Sequence, residues 1–207
     1  MLDYLASALV TLLVTVDPPG LAPIFLGITP GMDESARRQV ATRAVIIAGL
    51  IMAASGFVGA QLLEALGITL PAFRIAGGLL LFWISFEMVF ARRTERKTEH
   101  ADMAITIDHI RNVAAFPLAI PLMAGPGAIT ACILLAGRAE GDLPKLAVLM
   151  LVIVGVMLSC FAVFLAATRI SKWLGVTGNV VLTRLLGVIL SALAVQFVVD
   201  GVKAAFH

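Results

Sequence analysis

The sequence predicts an all-α polytopic membrane protein of six transmembrane helices, arranged as two inverted three-helix repeats with helices 1 and 4 broken. Three observations carry that prediction: the composition, the number and length of the apolar runs, and two proline-glycine interruptions at matching places in the two halves. Of 207 residues, 60% are hydrophobic and 14% charged, and mean hydropathy is +1.04. Soluble chains hold roughly 45–50% apolar and about 25% charged residues, so burial against lipid is expected.

Runs of about 20 apolar residues can cross a bilayer as helices. Six are present, near residues 5–27, 44–63, 73–91, 113–137, 146–168 and 180–200. Met1 to Tyr4 lacks the basic start of a signal peptide and reads as part of the first span. Ten basic residues fall in the loops around 30–43, 92–111 and 169–172, against three in the alternate segments, Arg138, Lys145 and Lys203. By the positive-inside rule the ten face the cytoplasm and both termini face outward, an arrangement expected of a bacterial inner-membrane protein. The polar stretch from Arg92 to Arg111 divides the chain into a first repeat over 1–91, a cytoplasmic linker over 92–111 and a second repeat over 112–207, all one membrane domain.

The repeat rests on three collinear anchors. Pro19-Gly20 matches Pro126-Gly127, Leu66-Gly67-Ile68-Thr69 matches Leu174-Gly175-Val176-Thr177, and Arg74-x-x-Gly77 matches Arg184-x-x-Gly187, at offsets of 107, 108 and 110. Chance similarity among apolar sequences is the competing account. Three spans per half force the second half to enter from the opposite side, an architecture that places substrate near the midplane between broken helices.

The breaks themselves are Asp17-Pro18-Pro19-Gly20-Leu21-Ala22-Pro23 and the run from Phe116 to Thr130, which holds Pro117, Pro121, Gly125, Pro126 and Gly127. Proline removes a backbone donor and obstructs the preceding turn. Non-helical backbone at membrane depth is tolerated only inside protein or beside a wet cavity. The expected substrate site therefore comprises Asp17, Pro19, Gly20, Pro23, Gly125, Pro126, Gly127 and Thr130. Helices restarting near Ile24 and Ala128 would offer free N–H groups and positive dipole ends to an anion. Asp17 is either an ion-coupling or ammonium-binding acid, as intramembrane acids often are, or a cap for freed N–H groups. Arg74 and Arg184, near opposite surfaces, either attract and gate a substrate carboxylate or snorkel to the head groups. Glu87 reads as a membrane-edge residue paired with Arg92, and Ser55, Gln61, Ser85, Ser159, Ser191 and Gln196 as packing residues able to bond between helices.

Several chemistries are not supported. Cys132 and Cys160 lie in apolar runs without metal-type spacing, and His100, His109 and His207 form no catalytic group. No phosphate loop, cofactor motif or convergent acid or nucleophile pair occurs in the spans, so no cofactor and no enzymatic activity are expected. The basic residues sit in short loops rather than along one face, which argues against nucleic acid as a partner.

The two interrupted stretches resemble the MarC family of integral membrane proteins, Pro117-Leu118-Ala119-Ile120-Pro121 and Ala124-Gly125-Pro126-Gly127-Ala128-Ile129 most specifically. Members commonly carry Asn-Pro where this chain has Asp17-Pro18. A SnatA-like branch moves small neutral amino acids such as glycine and alanine, so the resemblance implies a secondary transporter of a small neutral solute. A channel or exporter for another solute, or a non-transporting scaffold, are the alternatives. The partners expected are a small-molecule substrate and the bilayer, with the oligomeric state left open.

Overall fold

The computed structural model describes residues 1–90, 113–139 and 141–206, with side chains for all of these except 171–176. The 92–111 linker, with Arg92, His100, His109 and Arg111, lies outside the described residues, as does His207. All the regular structure described is helical: α1 (Leu2–Val16), α2 (Pro18–Ile28), α3 (Glu34–Ala65), α4 (Leu70–Val89), an irregular turn segment (Ala114–Met123), α5 (Pro126–Ala139), α6 (Leu143–Leu165) and α7 (Ala167–Ala205). Leu2–Ile28, α3, α4, α6 and the part of α7 from Thr177 onward are each long and apolar enough to span. Ala114–Met123 and α5 are long and apolar enough only as a pair, bent by 58° at the break between them, and make a sixth span if the pair is one. The protein is thus a polytopic membrane protein whose spans fall where the apolar runs do.

Local signals set the helix ends. Asp33, Thr69 and Asp142 cap α3, α4 and α6 by accepting from the N–H groups of Ala36, Ala72 and Lys145 at 2.9, 3.4 and 3.4 Å, the usual use of such side chains. α3 ends in a Schellman motif: Gly67 takes φ +69°, Ile68 N–H donates to the Leu63 carbonyl at 2.9 Å and Gly67 N–H to Glu64 at 3.0 Å. At 32 residues α3 is about 48 Å long. It therefore overshoots a hydrocarbon core of roughly 30 Å, which leaves Arg37, Arg38 and Arg43 beyond its apolar stretch.

The first span lies at the centre. Two thirds of its apolar window (67%) is buried inside the protein, against 22% for α3, whose Ile46, Leu50, Phe57 and Val58 face outward. Phe25 of α2 stacks on Phe164 of α6 with ring centroids 4.6 Å apart. Helices α4 and α7 form the most extensive contact and run antiparallel, with glycines where they touch. A Cβ on Gly78 would lie 2.8 Å from the Ala194 carbonyl, one on Gly187 2.9 Å from Met88 Cβ, and one on Gly201 3.0 Å from Arg74 Cβ.

Six of the remaining contacts form three matched pairs between the halves, while those of α1 with α5 and α7 and of α6 with α5 and α7 have no counterpart of similar extent among the described residues. α3 packs on the Ala114–Met123 segment as α6 packs on α1, α3 on α5 as α6 on α2, and α2 on α7 as α5 on α4. One anchor of the sequence repeat departs from the matched pattern. Leu66–Thr69 is the turn between α3 and α4, whereas Leu174–Thr177 is helical backbone within α7.

Candidate functional site

The first break occupies one residue. Asp17 adopts φ 59°, ψ 64°, the left-handed conformation that asparagine and aspartate tolerate best among residues with a side chain. Helix α2 then restarts at Pro18, not near Ile24. The reason is that Pro18 and Pro19 hold the first two helical positions, where a missing N–H costs nothing and a fixed φ favours the helix. Asp17 is 3% exposed. Its Oδ1 accepts from Gly20 N–H at 3.2 Å and its carbonyl from Leu21 N–H at 3.2 Å. The donors of the first turn of α2 are therefore spent inside the chain, and the expectation of an open anion site there is corrected. Gly20 has no room for a side chain, since a Cβ would collide with the Asp17 carboxylate.

The second break is longer. Phe116 and Ile120 take extended dihedrals (φ −134°, ψ 124° and φ −126°, ψ 123°), as residues before proline tend to. Both following peptide bonds are cis. Leu118 N–H reaches the Val113 carbonyl at 3.3 Å and Ala124 N–H the Ala119 carbonyl at 2.8 Å, so each bond steps over a proline. Helix α5 restarts at Pro126 rather than near Ala128, with Gly125 in the capping position and so no side chain to cap it. Ile129 N–H donates to the Gly125 carbonyl at 3.0 Å; among the described residues the N–H groups of Gly127 and Ala128 have no acceptor.

The two breaks meet. A Cβ on Gly127 would strike the Ile84 side chain and lie 3.7 Å from the methyl of Thr15, two residues before Asp17. Thr130, one turn further into α5 and 8% exposed, sets its methyl where a Cβ on Gly77 would come within 2.8 Å. Thr15 donates to the Thr11 carbonyl in a short contact. The Thr11 hydroxyl is fully buried and has no partner among the described residues.

Of the expected site residues, Asp17 and Gly20 lie in the buried core of the first break, Gly127 and Thr130 in that of the second, and Pro19 and Gly125 are half-buried beside them. Pro23 and Pro126 face outward and shape the helices without entering the junction. The arginines stand apart from it. Arg74 Nη2 donates to the Gly137 carbonyl at 3.1 Å and shares one end of the bundle with Tyr4, Arg138 and Asp200 around a cavity of about 430 Å³. There Arg138 pairs with Asp200 at 2.5 Å and Tyr4 donates to the Leu135 carbonyl at 2.9 Å. Arg184 is exposed on α7. It lies about 25 Å along that helix from Gly201, which faces Arg74, so the two arginines mark opposite ends of the α4–α7 pair.

Sequence reasoning passed over Thr11 and Thr15. Their signal was available, as two hydroxyls at i, i+4 on one face of an apolar helix just before its break. The expected pairing of Glu87 with Arg92 lies outside the described residues. Glu87 is buried in the last turn of α4, where its Oε1 accepts from the Trp83 indole at 3.2 Å. Ser55, Ser85, Ser159 and Ser191 donate to carbonyls of their own helices, Gln196 donates to Asp200 on its own helix, and Gln61 is exposed.

Broken spans meeting in the core of an otherwise regular bundle define a polytopic membrane protein with a polar junction between its first and fourth spans. The chain belongs to the MarC family: the description "MarC family integral membrane protein" matches residues 2–206. It is 36% identical over 204 residues to a UPF0056 membrane protein of Archaeoglobus fulgidus, covering 97% of this chain and 92% of that one. It is 33% identical over 195 residues to the UPF0056 membrane protein YhcE of Escherichia coli K12, covering 94% and 90%. With YvbG of Bacillus subtilis, also a UPF0056 membrane protein, it shares 31% identity over 206 residues, covering 100% and 97%. No solved structure matches.

Proposed function

We propose that this chain is a secondary transporter of a small neutral solute of the amino-acid class, working by alternating access around its two broken spans. The observation that carries the reading is the unspent polar capacity at their junction. A buried polar group without a partner costs about 1–3 kcal/mol, and native proteins retain few of them. Here the N–H groups of Gly127 and Ala128 at the start of α5 have no acceptor among the described residues, Gly127 leaves the backbone open to a ligand beside Thr15, and one turn before Thr15 the buried Thr11 hydroxyl has no partner among the described residues. A helix N-terminus favours a carboxylate, and Asp17, two residues beyond Thr15, supplies negative charge for an ammonium group or a coupling ion. The paired contacts across the halves, with α4 and α7 antiparallel between them, support an inverted repeat. The loop charges support an inner-membrane placement with both termini outward.

Proteoliposomes loaded with unlabelled glycine or alanine test the reading. A carrier accumulates labelled substrate by exchange, saturably, and Gly127→Ala suppresses that exchange. Flux without counterflow makes the protein a channel, and no saturable flux across an amino-acid panel with imposed proton and sodium gradients overturns the proposal.

A further inference from the structure

The end of the bundle opposite the Arg138–Asp200 pair holds another polar cavity, of about 390 Å³, between the C-terminal ends of α2 and α6 and the N-terminal ends of α3 and α7. Arg37, Arg38 and Arg169 line it, with Glu34 as the one acid among the described lining residues. Arg37 is engaged, since its Nε and Nη2 donate to the Thr29 carbonyl at 3.4 and 3.3 Å. Among the described residues, the guanidinium groups of Arg38 and Arg169 have neither an ion-pair nor a hydrogen-bond partner, and Glu34 forms no ion pair. The contrast with the other end is plain, because there Arg138 is matched to Asp200 and Lys145 to Asp142. Helix α7 adds an N-terminus without a side-chain cap, with the Thr168 hydroxyl in its first turn.

The rest of the wall is apolar. Leu26 and Phe164 line it, and Leu165 is 51% exposed at its rim. Three positive charges against one negative, two of them unmatched, call for an anion. Their position at the ends of spans, beside an apolar surface that continues along α6, calls for an anion attached to hydrocarbon. We propose that this cavity binds the head group of an anionic phospholipid, its phosphate between Arg38 and Arg169 and its acyl chains against Leu165 and the outer face of α6. Basic pockets between helices on the cytoplasmic side recognise such lipids by this chemistry, and arginine forks suit phosphate oxygens. A free phosphate compound would use the arginines and leave the apolar wall unused.

Native mass spectrometry of the full-length protein in detergent, titrated with dioleoylphosphatidylglycerol or dioleoylphosphatidylcholine, tests the assignment. The wild type is expected to retain phosphatidylglycerol and to bind phosphatidylcholine at least tenfold more weakly. The double variant Arg38→Gln/Arg169→Gln should bind phosphatidylglycerol roughly 30-fold more weakly, the factor expected for two basic side chains at a membrane surface. Lys145→Gln, at the other end, should leave it unchanged. Glu34→Gln, which removes the one acid among the described lining residues, should tighten binding severalfold and guards against a double variant that merely folds poorly. Equal phosphatidylglycerol binding by the wild type, the double variant and Glu34→Gln overturns the proposal. So does full displacement of the lipid by millimolar inorganic phosphate, which would identify a site for a free anion.

Discussion

The two broken spans differ in how each treats the helix that follows it. At the first, a single left-handed residue turns the chain and its own carboxylate caps α2. At the second, ten residues of irregular backbone lead to a glycine that cannot cap, and α5 begins with two donors open among the described residues. Two interruptions similar as text are therefore unlike as sites. The first has its helix donors used within the chain, while the second keeps the positive end of α5 open among the described residues. The lesson is that a break in a membrane helix becomes a binding element only when its capping position is left empty.

That difference can be probed by substitution, from the largest expected loss of stability to the smallest. Gly125→Ala should be the most damaging, at about 3 kcal/mol in detergent unfolding, the upper range for overpacking a tight site. Its Cβ would lie 2.5 Å from the Pro121 carbonyl, which is backbone and cannot rotate away. Gly20→Ala should cost about 2 kcal/mol, because its Cβ displaces the Asp17 carboxylate and uncaps α2. If it is silent, the capping account of the first break is wrong. Asp17→Ala should lower stability by about 1 kcal/mol and Asp17→Asn by less than about 0.5, since asparagine caps as well as aspartate. Uptake by the asparagine variant then isolates charge from capping: unchanged rate and pH dependence would leave Asp17 with the cap alone. Gly127→Ala should change the melting transition least, because the Cβ meets the mobile end of Ile84, yet lower substrate exchange at least tenfold. Equal losses of stability at Gly20 and Gly127 would erase the distinction between the two breaks.

Much of this was legible in the residues. Apolar run length placed the spans, and Pro18, Pro19, Pro117, Pro121 and Pro126 placed the breaks. What proline could not reveal was where each helix resumes. At the start of a helix the ring is favourable rather than disruptive, so α2 resumes at Pro18 itself. The identity of the capped break depended on Asp17 folding back on Gly20, a rotamer choice with no periodic signature. The Leu174–Thr177 anchor has the same letters as Leu66–Thr69 but stays helical, because the Schellman turn at Gly67 is one of two conformations such a sequence can take and tertiary context decides between them. The serines bond to their own helices because a hydroxyl reaches a carbonyl of the preceding turn without needing a neighbour.

The glycine contacts between α4 and α7 have a mechanical consequence. Backbones that touch at Gly78, Gly187 and Gly201 cannot separate without opening voids along the whole seam. A motion of α4 against α7 that kept these contacts would run as a slide parallel to the seam rather than as a hinge away from it. Bulky side chains at these three positions would jam that slide before they unfolded the bundle.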